Sequence, residues 1–376
     1  MRGRPIVLGR GVRGEHVIHT RRGADAVAGP NDGCAWPFPD RSLTLTASGT
    51  AAIEASIQHA GLEGGRILLP AFICRGTFED LFGRYDIDPV FVDVDRDSLH
   101  IDVDQAQHLL DAIDAVVVDH AFGQPAPIET WRRACDAHDI VLIEDCARAL
   151  GTTVRGVQVG AFGDYAIFSC AKTTPLSTGG ALVHDDHGIP VRDVSIDSDG
   201  IVRALYDVLP GTDRLDSRTI AAYQRLSSMG SGEHANDGGS PHPPRGLDWL
   251  TSRRFGRYQR RDLRAEYSAM QSMHRRLTHI LLRAGFDVQD RTTSWACTLQ
   301  SIVPENREGI LETLRERRFP VHAVWRDPWG PATGTYPVAA FLSEHVLTFR
   351  LREWDATMVD RFADSLPQRD TAATEH

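Results

Sequence analysis

From residue 43 to about 183 the chain alternates short apolar runs with amphipathic ones, and this constrains its fold more than any other feature. The runs at 43–46, 66–69, 89–92, 115–119, 141–144 and 166–169 have the length and composition of strands. Segments 50–60, 75–82, 103–110 and 128–137 carry apolar residues at helical spacing. Parallel strands need a crossover, usually a helix, between them, so the alternation predicts an α/β domain with a mostly parallel sheet covered by helices. Asp102 stands where the helix over 103–110 needs its N-cap.

The 376 residues leave room for a second, smaller domain. The stretch from 285 to about 366 mixes strand and helix patterns and supplies it. The division is expected at 250/251. A Gly-, Ser- and Pro-rich stretch at 227–246 reads as a mobile loop of the large domain, and the residues before 43 as an N-terminal arm. The arginine-rich stretch 253–283 places its charges between apolar residues at helical spacing, which reads as a solvated helix face or a subunit contact.

Composition excludes several classes of function. A net charge of -10 is the wrong sign for general nucleic-acid binding. No run of eighteen apolar residues is present, and residues 1–22 hold arginines without an apolar signal core, so a cytoplasmic protein without membrane contact is expected. The six cysteines form no CxxC pair and no Cys/His spacing suited to zinc. Reduced thiols and no metal are the expectation.

Four local patterns carry chemistry. Ala47-Ser48-Gly49-Thr50 sits at a strand-to-helix junction, where backbone N–H groups, a permissive glycine and hydroxyls make an anion site. The same residues also suit an ordinary helix cap. Val141 to Asp145 is an apolar strand ending in two carboxylates, Glu144 and Asp145. Strand C-terminal ends line the ligand crevice of open α/β sheets, and a carboxylate there can pair with a protonated ring nitrogen. A helix cap or a metal ligand would use the same residue type. The run from Phe168 through Ser169, Cys170 and Ala171 to Lys172 brings a hydroxyl and an amine to a strand end. Ser177-Thr178-Gly179-Gly180 follows as a sharp turn or a close backbone approach.

Lys172 is the only lysine of the chain; every other basic residue is arginine. A genome that trades lysine for arginine explains the bias. Arginine cannot replace a lysine that must lose its proton to react, because a guanidinium stays charged. A retained lysine beside a strand-end serine is therefore a candidate nucleophile.

Taken in order, SGTAAIEA, LLPAFIC, VFVDVD with LHID, HAFGQPAPI, VLIEDCARALG, GAFGDYAIFS and STGGALV resemble the DegT/DnrJ/EryC1/StrS aminotransferases, and YPVAAFLSEHVLTFRL is similar to that family's closing segment. The resemblance implies fold type I of the pyridoxal-phosphate enzymes. That is a large domain on a mostly parallel, seven-stranded sheet flanked by helices, with a smaller C-terminal α+β domain. It implies transfer of an amino group from an amino acid to a keto sugar, often nucleotide-linked, in a homodimer. Carried over residue by residue, Ser48, Gly49 and Thr50 match the phosphate-binding turn, and Asp145 the carboxylate under the pyridine nitrogen. Ser169 matches the serine near the phosphate, Lys172 the Schiff-base lysine, and Phe72 lies near the ring-stacking aromatic.

Two departures bear on activity. The family's lysine usually stands six residues after the Phe of Phe-Ser, where this chain has Thr174; Lys172 stands four after Phe168. Deleting two residues restores Lys172 and puts Gly179 and Gly180 seven and eight beyond it, as the family's glycine pair often is. The second departure is Arg148, where the family usually has Gln or His; it implies a cation facing the cofactor's ring oxygen or phosphate. With Thr174 at the lysine position the chain would instead be a non-transaminating relative that binds cofactor or nucleotide sugar as a regulatory or partner subunit. A sugar dehydratase on the same fold would want a histidine there, which Thr174 does not supply.

Overall fold

The structure, a computed structural model, describes residues 38, 41–174, 176, 178–186, 189–192, 244–247, 249–258, 264–288, 299–302, 304–327, 329 and 335–366. The expected N-terminal arm, Ser177 and all but the end of the expected loop at 227–246 lie outside them.

Seven strands form the main sheet: β1 (Ser42–Thr46), β2 (Arg66–Pro70), β3 (Asp88–Val92), β4 (Ala115–Asp119), β5 (Val141–Asp145), β8 (Tyr165–Ser169) and β9 (Gly180–His184). Their order is β1-β9-β8-β5-β4-β2-β3. Neighbours from β8 through β5, β4 and β2 to β3 are parallel, while β9 runs against both β8 and β1. The fold is the expected mixed α/β class. A parallel sheet is covered on both faces, which is why β4 reads AVVVD and β5 VLIED rather than alternating apolar with polar. The short pair β6 (Thr153–Val154) and β7 (Val157–Gln158) stands apart as a two-stranded ribbon.

Helices α1 (Gly49–Ala60) and α2 (Arg75–Tyr85) cover one face of this sheet, with Ile53, Ile57, Phe78 and Leu81 packed on Ile67, Val117, Ile143 and Ile167. On the other face α4 (Ile128–His138) buries Ile128 and Trp131 against Leu68, Val116 and Leu142. Asp102 caps α3 (Val103–Ala106) through the Asp104 amide, as its position predicts. The helix expected over 103–110 is one α turn followed by a 3-10 segment, Gln107–Ala112.

A smaller antiparallel sheet, β10 (Leu299–Ile302), β12 (Leu347–Arg350) and β11 (Val321–Ala323) in that order, builds a second core with Leu277, Leu281, Phe319, Phe349, Trp354 and Phe362. The arginine-rich stretch is helical, as Trp249–Tyr258 and Arg264–Arg283. The division expected at 250/251 falls inside the first of these helices, whose Phe255 and Tyr258 pack with Phe38, Leu150 and Phe168 of the main-sheet side. The second helix gives Met270 to that cluster and Leu277 and Leu281 to the smaller core. At 20 residues it is roughly 30 Å long, enough to join the two.

Candidate active site

The crevice at the C-terminal ends of the parallel strands starts with the turn into α1. Ser48 caps the helix, its Oγ accepting from the Ala51 amide at 3.1 Å, while its carbonyl takes the Ala52 amide. The N–H groups of Gly49 and Thr50 are the first-turn donors outside these two bonds. A Cβ built on Gly49 would meet the Ser169 Cβ at 3.7 Å, so the helix start faces the end of β8. Gly180 begins β9 directly against this turn. A Cβ there would fall 2.7 Å from the Gly49 nitrogen and closer still to the Ser48 carbonyl, a clash that only glycine avoids. The fourth sequence pattern thus clasps the first, and Thr178 Oγ1 adds a bond to the Ala47 carbonyl at 3.2 Å. Gly246, at the end of the expected loop, bridges to Thr46.

Asp145 ends β5. It is buried, and its Oδ1 accepts from the Ala147 amide at 2.9 Å. Its register partner across the parallel pair is Asp119, the last residue of β4. Partners in register on adjacent strands project from the same face, with backbones about 4.8 Å apart, so two carboxyl groups meet at the crevice where the sequence reading had one. Burial, and then Asp145, push the Asp119 carboxyl well above the usual carboxylate range, against the pull of Lys172 and Arg148. Asp119 was missed although AVVVD has the same form as VLIED: an apolar strand closed by a carboxylate.

Glu144 points to the opposite face and does different work. It accepts from the amides of Gly160 and Phe162, each at 2.8 Å, and from that of Gly163. The Ala126 amide donates to His120 Nδ1, so His120 carries its proton on Nε2 and donates it to Glu144 at 3.1 Å. Burial pushes the Glu144 carboxyl up, but His120 and these amides outweigh it and hold the group below its ordinary value. His120, Glu144 and Cys146 bring one metal-ligand atom each within 4.8 Å of one another. Both oxygens of Glu144 and both nitrogens of His120 are already hydrogen-bonded, and burial keeps the Cys146 thiol protonated. Glu144, held by His120, pins the GAFGD turn in place.

Lys172 is not on a strand. β8 ends at Ser169, and α5 (Cys170–Thr173), a single helical turn, carries Lys172. Lys172 is half-buried. Burial, and then the guanidinium of Arg148, hold its amine below the usual lysine range, against Asp145, Cys74 and Asp119. Burial likewise lowers Arg148, to about 10, with Arg350 of β12 the next cause. Thr174 is buried, and its Oγ1 donates back to the Cys170 carbonyl at 2.7 Å.

The structure thus groups Ser48, Gly49, Thr50 and Ser169 at one end of the crevice, and Asp145, Arg148 and Lys172 beside them. Phe72 is not among them. Its side chain is 1% exposed and packs edge-on against Trp325, with ring centroids 4.8 Å apart, and against Phe122 at 6.3 Å. Cys74, two residues on at the start of α2, reaches the surroundings of Lys172 and Arg148 instead. Among the described residues no helix is long and apolar enough to cross a membrane.

Comparison with known proteins points the same way. Residues 40–214 match the DegT/DnrJ/EryC1/StrS aminotransferase family. GDP-perosamine synthase of Vibrio cholerae is 31% identical over 166 residues, 43% of this chain and 45% of that protein. The L-glutamine:2-deoxy-scyllo-inosose aminotransferase of Streptomyces kanamyceticus is 31% identical over 173 residues, 45% of this chain and 40% of its own. The chain thus spans less than half the length of these curated relatives. A DegT DnrJ EryC1 StrS aminotransferase from Brucella abortus superposes with a TM-score of 0.62 at 20% identity, over 86% of this chain and 84% of that one. The GDP-4-keto-6-deoxy-D-mannose-3-dehydratase of E coli, with bound hydrated PLP, reaches 0.64 at 18% identity, over 87% and 88%. With its seven-stranded sheet and strand-end crevice, the segment 40–214 is similar to the DegT/DnrJ/EryC1/StrS aminotransferases, a likeness that spans a little under half of the chain.

Proposed function

We propose that this protein is a pyridoxal-phosphate-dependent aminotransferase that moves an amino group from an amino acid to a keto sugar, nucleotide-linked as in GDP-perosamine, in a cytoplasmic homodimer. The observation that carries the reading is the placing of the sole lysine. Lys172 shares its surroundings with Asp145 and Arg148, while Thr174, its rival by spacing, is buried and bonded to its own turn.

The residues present fit the cofactor. The close approach of Gly180 to Ser48 and Gly49 leaves a cradle of amides and hydroxyls at a helix start, and such a start favours a phosphate. When bound, pyridoxal phosphate supplies an aldehyde for the lysine amine and an electron sink for the transfer. Ser48, Gly49, Thr50 and Ser169 hold the phosphate end. The Asp145 carboxylate holds a proton on the ring nitrogen. Lys172, whose amine burial and Arg148 hold below the usual lysine range, would supply the reacting amine and would then move a proton at the substrate carbon. Arg148 stands over the same region as a cation for the ring oxygen or the phosphate.

Borohydride reduction after loading with pyridoxal phosphate, followed by peptide mapping, tests the reading. The expected result is an adduct on the Lys172 peptide, and visible absorbance that glutamate or glutamine bleaches. The short step from Phe168 to Lys172 favours one other reading, a non-transaminating relative, because it departs from the spacing usual in the family. Uptake of cofactor with no adduct, and a Lys172→Arg variant that behaves as wild type, would establish that reading instead.

A further inference from the structure

Behind the crevice lies a small internal cavity lined by Pro70, Leu99, His100, Val117, Asp119 and Trp131. It has room for the centre of one water-sized sphere, about 10 Å³, which is close to what a single buried water needs. Two of its lining residues each present a buried polar atom with no hydrogen-bond partner: Asp119 Oδ2 and His100 Nε2. Buried polar atoms are nearly always satisfied, so two such atoms on one water-sized cavity call for a bridging group. His100 is 7% exposed and lies beside the Gln124 backbone. A neutral imidazole carries its proton on one ring nitrogen only, so Nε2 can accept from a water. Asp119 as a whole is half-buried at the end of β4. It therefore spans from the crevice, where it adjoins Asp145, to the cavity.

We propose that Asp119 is a positioning residue held as a neutral carboxylic acid, its Oδ2 hydroxyl joined to His100 Nε2 through one internal water. Its neutrality leaves Asp145 as the single carboxylate of the crevice available to a bound ring nitrogen; this role rests on the aminotransferase reading. The proton count closes. Asp119 Oδ2–H donates to the water, and the water donates to His100 Nε2. Two in-register carboxyl groups do not readily ionise together, and the one with the buried, unpaired oxygen keeps the proton. The groups facing Asp119 are Asp145 and Cys146 at the end of β5, Arg148 beyond it, Lys172 on α5, and His100 with His120 beyond the cavity. Burial, and then His120, lower His100 to about 3, so it stays an acceptor near neutral pH.

The test uses the full-length protein without added cofactor, with aspartate labelled by ¹³C at the carboxyl carbon. At pH 7 one resonance is expected at the position of a protonated acid. It should vanish in Asp119→Asn and move in His100→Asn, which removes Nε2. A high-resolution crystal structure should place one ordered water within hydrogen-bond reach of both atoms. The proposal is overturned if every aspartate of the folded wild type is ionised at pH 7, if the acid resonance survives in Asp119→Asn, or if no water joins the two atoms. Should Asp119→Asn not fold, the labelled wild type and its crystal structure decide alone. Visible absorbance on adding pyridoxal phosphate is read separately, and Asp119→Asn is expected to keep it. Its absence from the wild type would sink the aminotransferase reading while leaving the carboxyl signals as they are.

Discussion

Arg307 in the smaller domain and Asp119 in the larger are both ionisable groups drawn out of water, and they are treated in opposite ways. Arg307 is 9% exposed, and its guanidinium is taken up by Glu308 and the Ser343 carbonyl. Around it the smaller core is aromatic and self-contained, with Phe319, Trp354, Phe349 and Phe362 packed ring on ring. Asp119 keeps an unpaired buried oxygen and sits among Asp145, Arg148 and Lys172. A buried charge that is fully paired adds little but shape to a fold. A buried group left unpaired costs stability, and in this molecule it stands where a ligand is expected. The difference separates a region built to hold together from one built to react.

The largest effect that would sharpen the contrast is at Lys172. Lys172→Arg should lower transamination by about 10²–10⁴-fold, the range lost with a general base, whereas Thr174→Val should stay near wild type in steady-state kinetics. Equal effects of the two would erase the distinction between them. Next comes Phe362→Ala in the smaller core, expected to cost about 3–5 kcal/mol in urea unfolding, with pyridoxal phosphate uptake retained below the transition.

Glu144→Gln should cost about 3 kcal/mol, as breaking a buried pair does, and its pH dependence tests the assignment. The folded state holds Glu144 below its ordinary value of 4.5. Its contribution is therefore fully present above that value and is lost as pH falls through the folded one. Asp119 has the opposite sign. Its raised carboxyl favours the fold below its ordinary value of 3.8 and disfavours it as pH rises. Asp119→Asn should therefore melt higher than wild type at neutral pH and converge with it in acid. Parallel melting curves for the two variants would show that the two carboxyls do not differ in kind. Smallest in free energy is Asp145→Asn, expected to keep cofactor binding but lose about 10²-fold in turnover, read as kcat against dissociation constant.

What could be read from the chain alone followed from local rules. Strands β1 to β5 and β8 lie where apolar runs of the right length put them, and Asp102 and Ser48 cap helices as short polar side chains do. Gly179-Gly180 reads from the chain as a sharp turn or a close approach, and the packing of Gly180 against Ser48 and Gly49 shows a close approach. Cys74 was missed because nothing in its own neighbourhood marks it, and Asp119 because its strand-end carboxylate gains a role only beside Asp145. Each becomes part of the crevice only when distant strands are laid side by side. Phe72 sat close to a family position, but its ring was claimed by Phe122 and Trp325, more than 40 residues away in the chain.

The sequence by itself determined the α/β class, the order of the main-sheet strands through β8 and the identity of the one lysine. Periodicity and composition are local properties, and arginine cannot do a lysine's chemistry. Only the tertiary structure decided that Lys172 stands on a helical turn, that Glu144 and Asp145 serve opposite faces, and that Asp119 shares a register position with Asp145. Those facts depend on which strands become neighbours, and the pairing energy that chooses neighbours is spread over the whole sheet.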